Sequence, residues 1–229
     1  RIVTDSACDL PQYLVDQYKI SIVPLSVRFG EHEFIDRQDL TTEQFWKRCD
    51  SSPVLPETAA PSPGQFEAEF RKLAAEGATG IVMISLSGIL SATMQSAELA
   101  AKAVAGHISV RVVDSRSGSM GQGITVIACA KLAATGASLD EVAAVGDNLA
   151  HRSKVWGALD TLENLKKGGR IGGAKAMLAS ALSIKPIIEV IDGKIEEGGK
   201  QRTRSKALAF LLEKVREAGP IENLAVLQA

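Results

Sequence analysis

Histidine and cysteine are scarce in this chain, and their scarcity removes whole classes of chemistry. Among 229 residues there are 3 histidines, His32, His107 and His151. A serine nucleophile needs a histidine base, yet no GxSxG elbow is present, and His107 and His151 fall in solvated contexts at expected helix ends. All three read as structural or surface residues. The 3 cysteines, Cys8, Cys49 and Cys129, are odd in number and share no CxxC spacing, which argues against a disulfide framework and a thiolate zinc site. Each is expected to serve as a small buried apolar residue rather than a nucleophile. No HxxxH or DxD pattern occurs, and Asp5, Asp9 and Asp114 stand apart, so no metal site and no cofactor is expected. Apolar runs of about 18 residues are missing, which removes a membrane-spanning helix, and the opening IVTD is strand-like rather than a signal sequence. A cytoplasmic location is therefore expected. An excess of one sign of charge is lacking too. With 26 basic residues against 27 acidic ones the formal net charge is -1, so nothing global favours nucleic acid or an anionic membrane surface.

What is present is an alternation of short β-branched runs with amphipathic helical patterns, in a chain that is 45% hydrophobic and long enough for one large or two modest domains. Ile2 to Thr4, Ile81 to Ile84 and Val110 to Val113 have the near-continuous apolar character of fully buried parallel strands. An α/β domain over residues 1-150 follows from this alternation. Helix starts carry capping chemistry: Ser62, Pro63 and Gln65 stand at N-cap, N1 and N3 ahead of Phe66, Phe70 and Leu73, and Thr41 with Gln44 and Ser138 with Glu141 repeat the spacing. After about residue 150 the texture changes. Val155 to Leu159 is strand-like, Ile187 to Ile191 leads through Asp192-Gly193 into Lys194-Ile195 as a hairpin, Ser205 opens a helix with Leu208, Leu211, Leu212 and Val215, and Leu224 to Leu227 resembles a last strand. Antiparallel pairing beside helices predicts a second, α+β domain over residues 151-229.

Polar candidates gather where parallel strands end, the place where ligands bind in open sheets. Asp5 and Ser6, Ser85 and Ser87, and Asp114, Ser115 and Ser117 follow the three strands, while Ser91 and Thr93 sit where the next helix begins. Hydroxyls and helix N-terminal amides donate hydrogen bonds and suit a carboxylate or phosphate, although capping alone also accounts for single residues among them. Gly118 to Gly123, GSMGQG, has GxxGxG spacing rather than GxGxxG, and close helix-to-sheet packing explains it better than a nucleotide. Thr161 to Lys185 adds Lys166, Lys167, Arg170 and Lys175 around two Gly-Gly turns, ahead of an apolar helix from Ala174 to Leu182. An anionic head group is the guest this stretch suggests. It is too glycine-rich for a basic recognition helix, which argues against nucleic acid.

TDSACDLP at Thr4 to Pro11, TAAPSPGQF at Thr58 to Phe66, LSATMQSA at Leu90 to Ala97, VVDSRSGSMGQG at Val112 to Gly123, and LKKGGRIG through RTR at Leu165 to Arg204 together resemble the DegV family, in order along essentially the whole chain. The resemblance implies a two-domain α/β protein, a parallel-sheet domain followed by an α+β domain, with one long-chain fatty acid buried between them. Members of the FakB type are the non-catalytic, fatty-acid-binding subunits of bacterial fatty acid kinase, presenting the carboxylate to a kinase subunit for acyl phosphate formation in phospholipid synthesis. On this likeness Thr58 and Ser91 hold the carboxylate, with the amides of Ala92 and Thr93 acting on the same oxygens. Arg170 and Arg202 line the rim that faces the partner, and Met94, Met120, Ile171, Met177 and Leu178 are candidates for the tail pocket. A monomer is expected, with transient membrane contact left open.

Departures from the family pattern are Ala59 and Ala60 at polar positions, Ala92 for a glycine and Met94 for a tyrosine. The resemblance also implies a further strand and helix unit with a late His-Thr-Gly segment, whose histidine lies near the carboxylate; nothing in this sequence matches it, so either the chain given is part of a longer protein or it lacks that part of the wall around the carboxylate. The alternative function is a hydrolase or phosphotransferase acting on a small anionic or acyl substrate at the serine-rich rim.

Overall fold

The structure is a computed structural model that describes residues 1–52 and 54–228, with the side chains of 179–183 outside the description. In chain order the elements are β1 (Ile2–Asp5), α1 (Gln12–Gln17), β2 (Ser21–Val23), β3 (Ser26–Phe29), β4 (His32–Ile35), α2 (Thr42–Ser51), β5 (Glu57–Ala59), α3 (Pro63–Ala75), β6 (Ile81–Ser85), α4 (Thr93–Val104), β7 (Val110–Asp114), α5 (Ser119–Ala134) and α6 (Leu139–Arg152), then β8 (Val155–Ala158), α7 (Glu163–Lys167), β9 (Lys185–Ile191), β10 (Lys194–Gln201) and α8 (Arg204–Glu217). Backbone contacts divide these into two units, Arg1–Arg152 and Ser153–Ala229.

In the first unit β2-β1-β6-β7 form a parallel sheet. Successive strand residues point to opposite faces, and both faces are covered. Ile2, Val82, Ile84 and Val113 pack with Val126 and Cys129 of α5 and Val142 of α6. Val3, Ile81 and Met83 pack on the other face with Phe66, Phe70 and Leu73 of α3 and Ala97, Ala100 and Val104 of α4. The expectation of full burial holds for β1 and β6 but not for β7, because β7 lies at the sheet edge, where Arg111 is exposed and pairs with Asp140. Capping boxes at Thr41–Gln44 and Ser62–Gln65 start α2 and α3, and Ser138 and Glu141 exchange bonds at the start of α6. The same unit carries a small antiparallel sheet, β4-β3-β5, built around Val27, Phe29 and Leu40. Two hydrogen bonds tie it to the segment after β1: the Leu25 amide donates to Ser6 Oγ at 3.1 Å and Arg37 Nη2 donates to the Leu10 carbonyl at 2.6 Å.

In the second unit β10-β9-β8 are antiparallel, and the β9–β10 hairpin turns on Asp192 and Gly193, both left-handed at φ 49° and 78°. Helix α8 starts from Thr203, whose hydroxyl accepts the Lys206 amide, not from Ser205. Its inward residues are Ala207, Phe210, Leu211 and Val215, whereas Leu208 and Leu212 of the expected apolar face are exposed. Two further expectations are corrected. Gly172–Ser183 forms 3-10 turns rather than an apolar α-helix, and Leu224 to Leu227 carries no strand but is exposed and irregular apart from the partly buried Ala225.

Candidate binding site at the carboxyl end of the parallel sheet

The strand ends do place polar groups together, but most of them hold one another. Asp5, fully buried, caps the turn at Ser6–Cys8 by accepting the Ala7 amide at 3.1 Å, and its other oxygen accepts the Leu86 amide at 2.8 Å. Burial pushes its carboxyl up from 3.8 to about 6, against the opposing pull of bonds from Leu86, Gln122 and Ala7. Ser85 Oγ donates to the Leu86 carbonyl and Ser115 Oγ to the Ser117 carbonyl. The Ser87 amide donates to the Ser117 carbonyl at 2.7 Å, and the Gly88 amide points at both Asp114 oxygens at 3.3 Å. The Leu86–Gly88 segment is therefore anchored by β1 on one side and by the loop after β7 on the other.

That anchoring sets up Ser91. Its amide donates back to the Ser87 carbonyl at 3.1 Å, which closes the turn and delivers the side chain to the start of α4. There Ser91 Oγ accepts the Thr93 amide at 3.3 Å and lies 2.9 Å from Thr93 Oγ1. Ala92 is the N-cap residue and supplies no side-chain cap, so apart from the Thr93 amide held by Ser91 the start of α4 carries the uncapped, positive end of the helix dipole. Ser91 is half-buried while Thr93 is fully buried. A half-exposed hydroxyl at a helix start can hold a carboxylate oxygen.

Thr58 is also in the first unit, on β5 opposite Val27, in a shallow depression lined with Ser26, Arg28, Glu33, Glu57 and Ala59. It is exposed, as is Ala59, and Ala60 is half-buried; Arg28 and Glu57 form an ion pair beside it. No hydrogen bond joins Thr58 to Ser91 among the described residues. Met94 is half-buried on α4 with its sulfur 3.1 Å from where a Gly88 Cβ would stand. Met120 packs against the core under α5, beside Gly123, whose own Cβ would stand 2.6 Å from the Cys8 carbonyl. This close approach is what the last glycine of GSMGQG serves.

In the second unit Arg170 is exposed and bonds the Gly168 carbonyl through Nη1, and Arg202 is exposed. Lys166, Lys167 and Lys175 are exposed, Lys167 pairing with Glu163 at 3.4 Å. Ile171 and Leu178 are half-buried and Met177 is fully buried.

Nucleophile and base chemistry gains no support from the geometry. Burial pushes the Cys8 and Cys129 thiols up to about 12, so both stay protonated and pack as apolar groups. His151 accepts from Arg116 through Nε2 at 2.8 Å, because a guanidinium only donates, and Nδ1 donates to the Asp147 carbonyl at 2.7 Å. No cluster of three or more His, Cys, Asp or Glu suited to a metal occurs among the described residues. The anchoring roles of Asp5 and Asp114 and the tie from Arg37 to Leu10 went unread in the sequence; only the position of the two aspartates after strands signalled them.

A parallel α/β unit with a serine hydroxyl at a helix start, followed by an antiparallel α+β unit, defines a two-unit α/β protein. The chain belongs to the DegV family: the family model described as "Uncharacterised protein, DegV family COG1307" matches residues 1–229. A DegV domain-containing protein of Streptomyces coelicolor is 36% identical over 213 residues, covering 93% of this chain and 74% of the relative. One from Mycobacterium tuberculosis is 37% identical over 215 residues, again 93% and 74%. Among solved structures, a fatty-acid-binding DegV family protein of Thermus thermophilus superposes with a TM-score of 0.87 at 36% identity, over 95% of this chain and 76% of that one. A stearic-acid-binding protein of Eubacterium ventriosum gives 0.88 at 29%, over 95% and 75%, and DegV of Bacillus subtilis, a fatty-acid-binding protein, gives 0.85 at 28%, over 94% and 76%.

Proposed function

We propose that this chain is a fatty-acid-binding protein that holds the carboxylate of a long-chain fatty acid at Ser91 and Thr58. The observation that carries the proposal is the half-buried Ser91 hydroxyl, set by the anchored Leu86–Gly88 segment at the start of α4. The likeness to fatty-acid-binding DegV proteins supports it. The Ala92 amide is proposed to act at the same place, whereas the Thr93 amide, expected to join it, is already bonded to Ser91 Oγ. Met94 and Met120 are the first unit's candidates for contact with the tail, and Ile171, Met177 and Leu178 are those of the second. Burial of about 15 methylenes at ~0.8 kcal/mol each gives a gross ~12 kcal/mol before association costs, so the tail supplies affinity and the hydroxyls supply orientation.

The finer part of the proposal is that the bound carboxylate is presented to a fatty acid kinase subunit for acyl phosphate formation, with Arg170 and Arg202 on the rim that meets it. The proposed place of work is the cytoplasm, and the proposed state is a monomer; among the described residues no helix is long and apolar enough to cross a membrane. A hydrolase would need a base on Ser91, whose side-chain partner is another hydroxyl, that of Thr93.

Titration of the purified, delipidated chain with palmitate tests the binding step. Saturable binding that weakens in Ser91→Ala and further in Ser91→Ala with Thr58→Ala is the expected result. Absence of binding in the wild type overturns it.

A further inference from the structure

We infer that Thr93 is a positioning residue that makes the Ser91 hydroxyl an obligate donor, so that the site favours a charged acceptor such as a carboxylate over a neutral head group. This rests on the proposal that Ser91 holds a fatty acid carboxylate.

A hydroxyl carries one hydrogen and two acceptor lone pairs. The 2.9 Å separation of Ser91 Oγ and Thr93 Oγ1 allows either oxygen to donate. Burial decides between them. Thr93 is 0% exposed, and Ser91 Oγ is the one hydrogen-bond partner of its hydroxyl among the described residues. Were Ser91 to donate, the Thr93 hydrogen would be left buried without an acceptor, the costly arrangement that folded proteins avoid. Thr93 Oγ1 therefore donates to Ser91 Oγ. Ser91 Oγ already accepts the Thr93 amide at 3.3 Å, so both of its acceptor positions are taken by the same residue. All that remains to the half-buried Ser91 side chain is its own hydrogen, directed away from Thr93.

Two consequences distinguish this from capping alone. A ligand hydrogen finds no lone pair at Ser91, so an alcohol can only accept there through its neutral oxygen, whereas an ionised carboxylate meets the Ser91 hydrogen with a charged acceptor and forms the stronger bond. Thr93 also acts on the ligand without touching it, through the direction it imposes on Ser91.

The test compares palmitate with hexadecanol, a probe with the same tail and a neutral head, on the full chain. Thr93→Val keeps the shape and removes the hydroxyl. It is expected to weaken palmitate about tenfold and hexadecanol less than about twofold. Thr93→Ser restores the palmitate value, and Thr93→Val has no further effect in a Ser91→Ala background. Equal loss of both probes, or no loss of either, overturns the inference while leaving fatty acid binding in place; no palmitate binding by the wild type overturns both. Should neither Thr93→Val nor Thr93→Ala fold, the carboxyl titration of bound [1-13C]palmitate decides. A Ser91 donor directed by Thr93 gives a lower apparent pKa in the wild type than in Ser91→Ala, with Thr93→Cys, whose thiol is a weaker donor, in between; a wild-type value equal to or above that of Ser91→Ala, or a Thr93→Cys value equal to the wild type's, overturns the inference.

Discussion

Asp5 and Leu86, 81 positions apart, are joined by a 2.8 Å hydrogen bond from the Leu86 amide to the Asp5 carboxylate. The bond fastens the ends of the two central strands and starts the segment that carries Ser91. Asp5 is buried, and its carboxyl is pushed up to about 6 from 3.8. A group whose native pKa is raised binds a proton in the folded state that it releases on unfolding, so ionised Asp5 weakens the fold above about pH 6. The penalty fades as pH falls through 6 toward 4. In urea unfolding, the stability of wild type relative to Asp5→Asn is expected to grow by on the order of 2–3 kcal/mol between pH 7.5 and 4. A difference that stays flat contradicts the assignment.

Gly123 is where α5 meets the turn after β1. A Cβ there would stand 2.6 Å from the backbone carbonyl of Cys8, a group that cannot swing aside. Gly123→Ala is expected to lower stability by about 1–3 kcal/mol through overpacking. Gly106→Ala, where nothing lies within 4 Å, should change it by less than about 0.5 kcal/mol. Thermal melts of the two variants side by side check the contrast.

The cysteines give a chemical readout of the same core. Cys8 and Cys129 are buried with thiols near 12, while Cys49 is only half-buried. Treatment of the native chain with a thiol-disulfide reagent at pH 8 should label Cys49 first. Cys8 and Cys129 should follow only on unfolding. Rapid labelling of all three would sink this account of the packing.

Much of the fold was written in local signals. Val3 and Ile81 to Ile84 declared a buried parallel sheet by being apolar on both faces, and Ser62-Pro63 and Asp192-Gly193 announced a helix start and a hairpin through backbone requirements of a few residues. The small sheet β4-β3-β5 was not legible, since its strands are three or four residues long and carry Arg28, Glu33 and Glu57 among few apolar residues. Val110 to Val113 misled because an apolar run does not say whether its strand lies at the edge. Leu224 to Leu227 misled because β propensity without a pairing partner makes no strand. At the site, the sequence showed a serine and a threonine at a helix start. It did not show which hydroxyl faces inward, and that burial difference between Ser91 and Thr93 sets the direction of the hydrogen bond.

The central claim is that this chain carries a fatty acid, and the lipid content of the purified protein addresses it most directly. Mass spectrometry of the organic extract of the denatured chain, purified from cells without added lipid, is predicted to show a long-chain fatty acid in stoichiometric amount, reduced in Ser91→Ala with Thr58→Ala. An extract free of fatty acid, from a chain that also takes up no added palmitate, would contradict it.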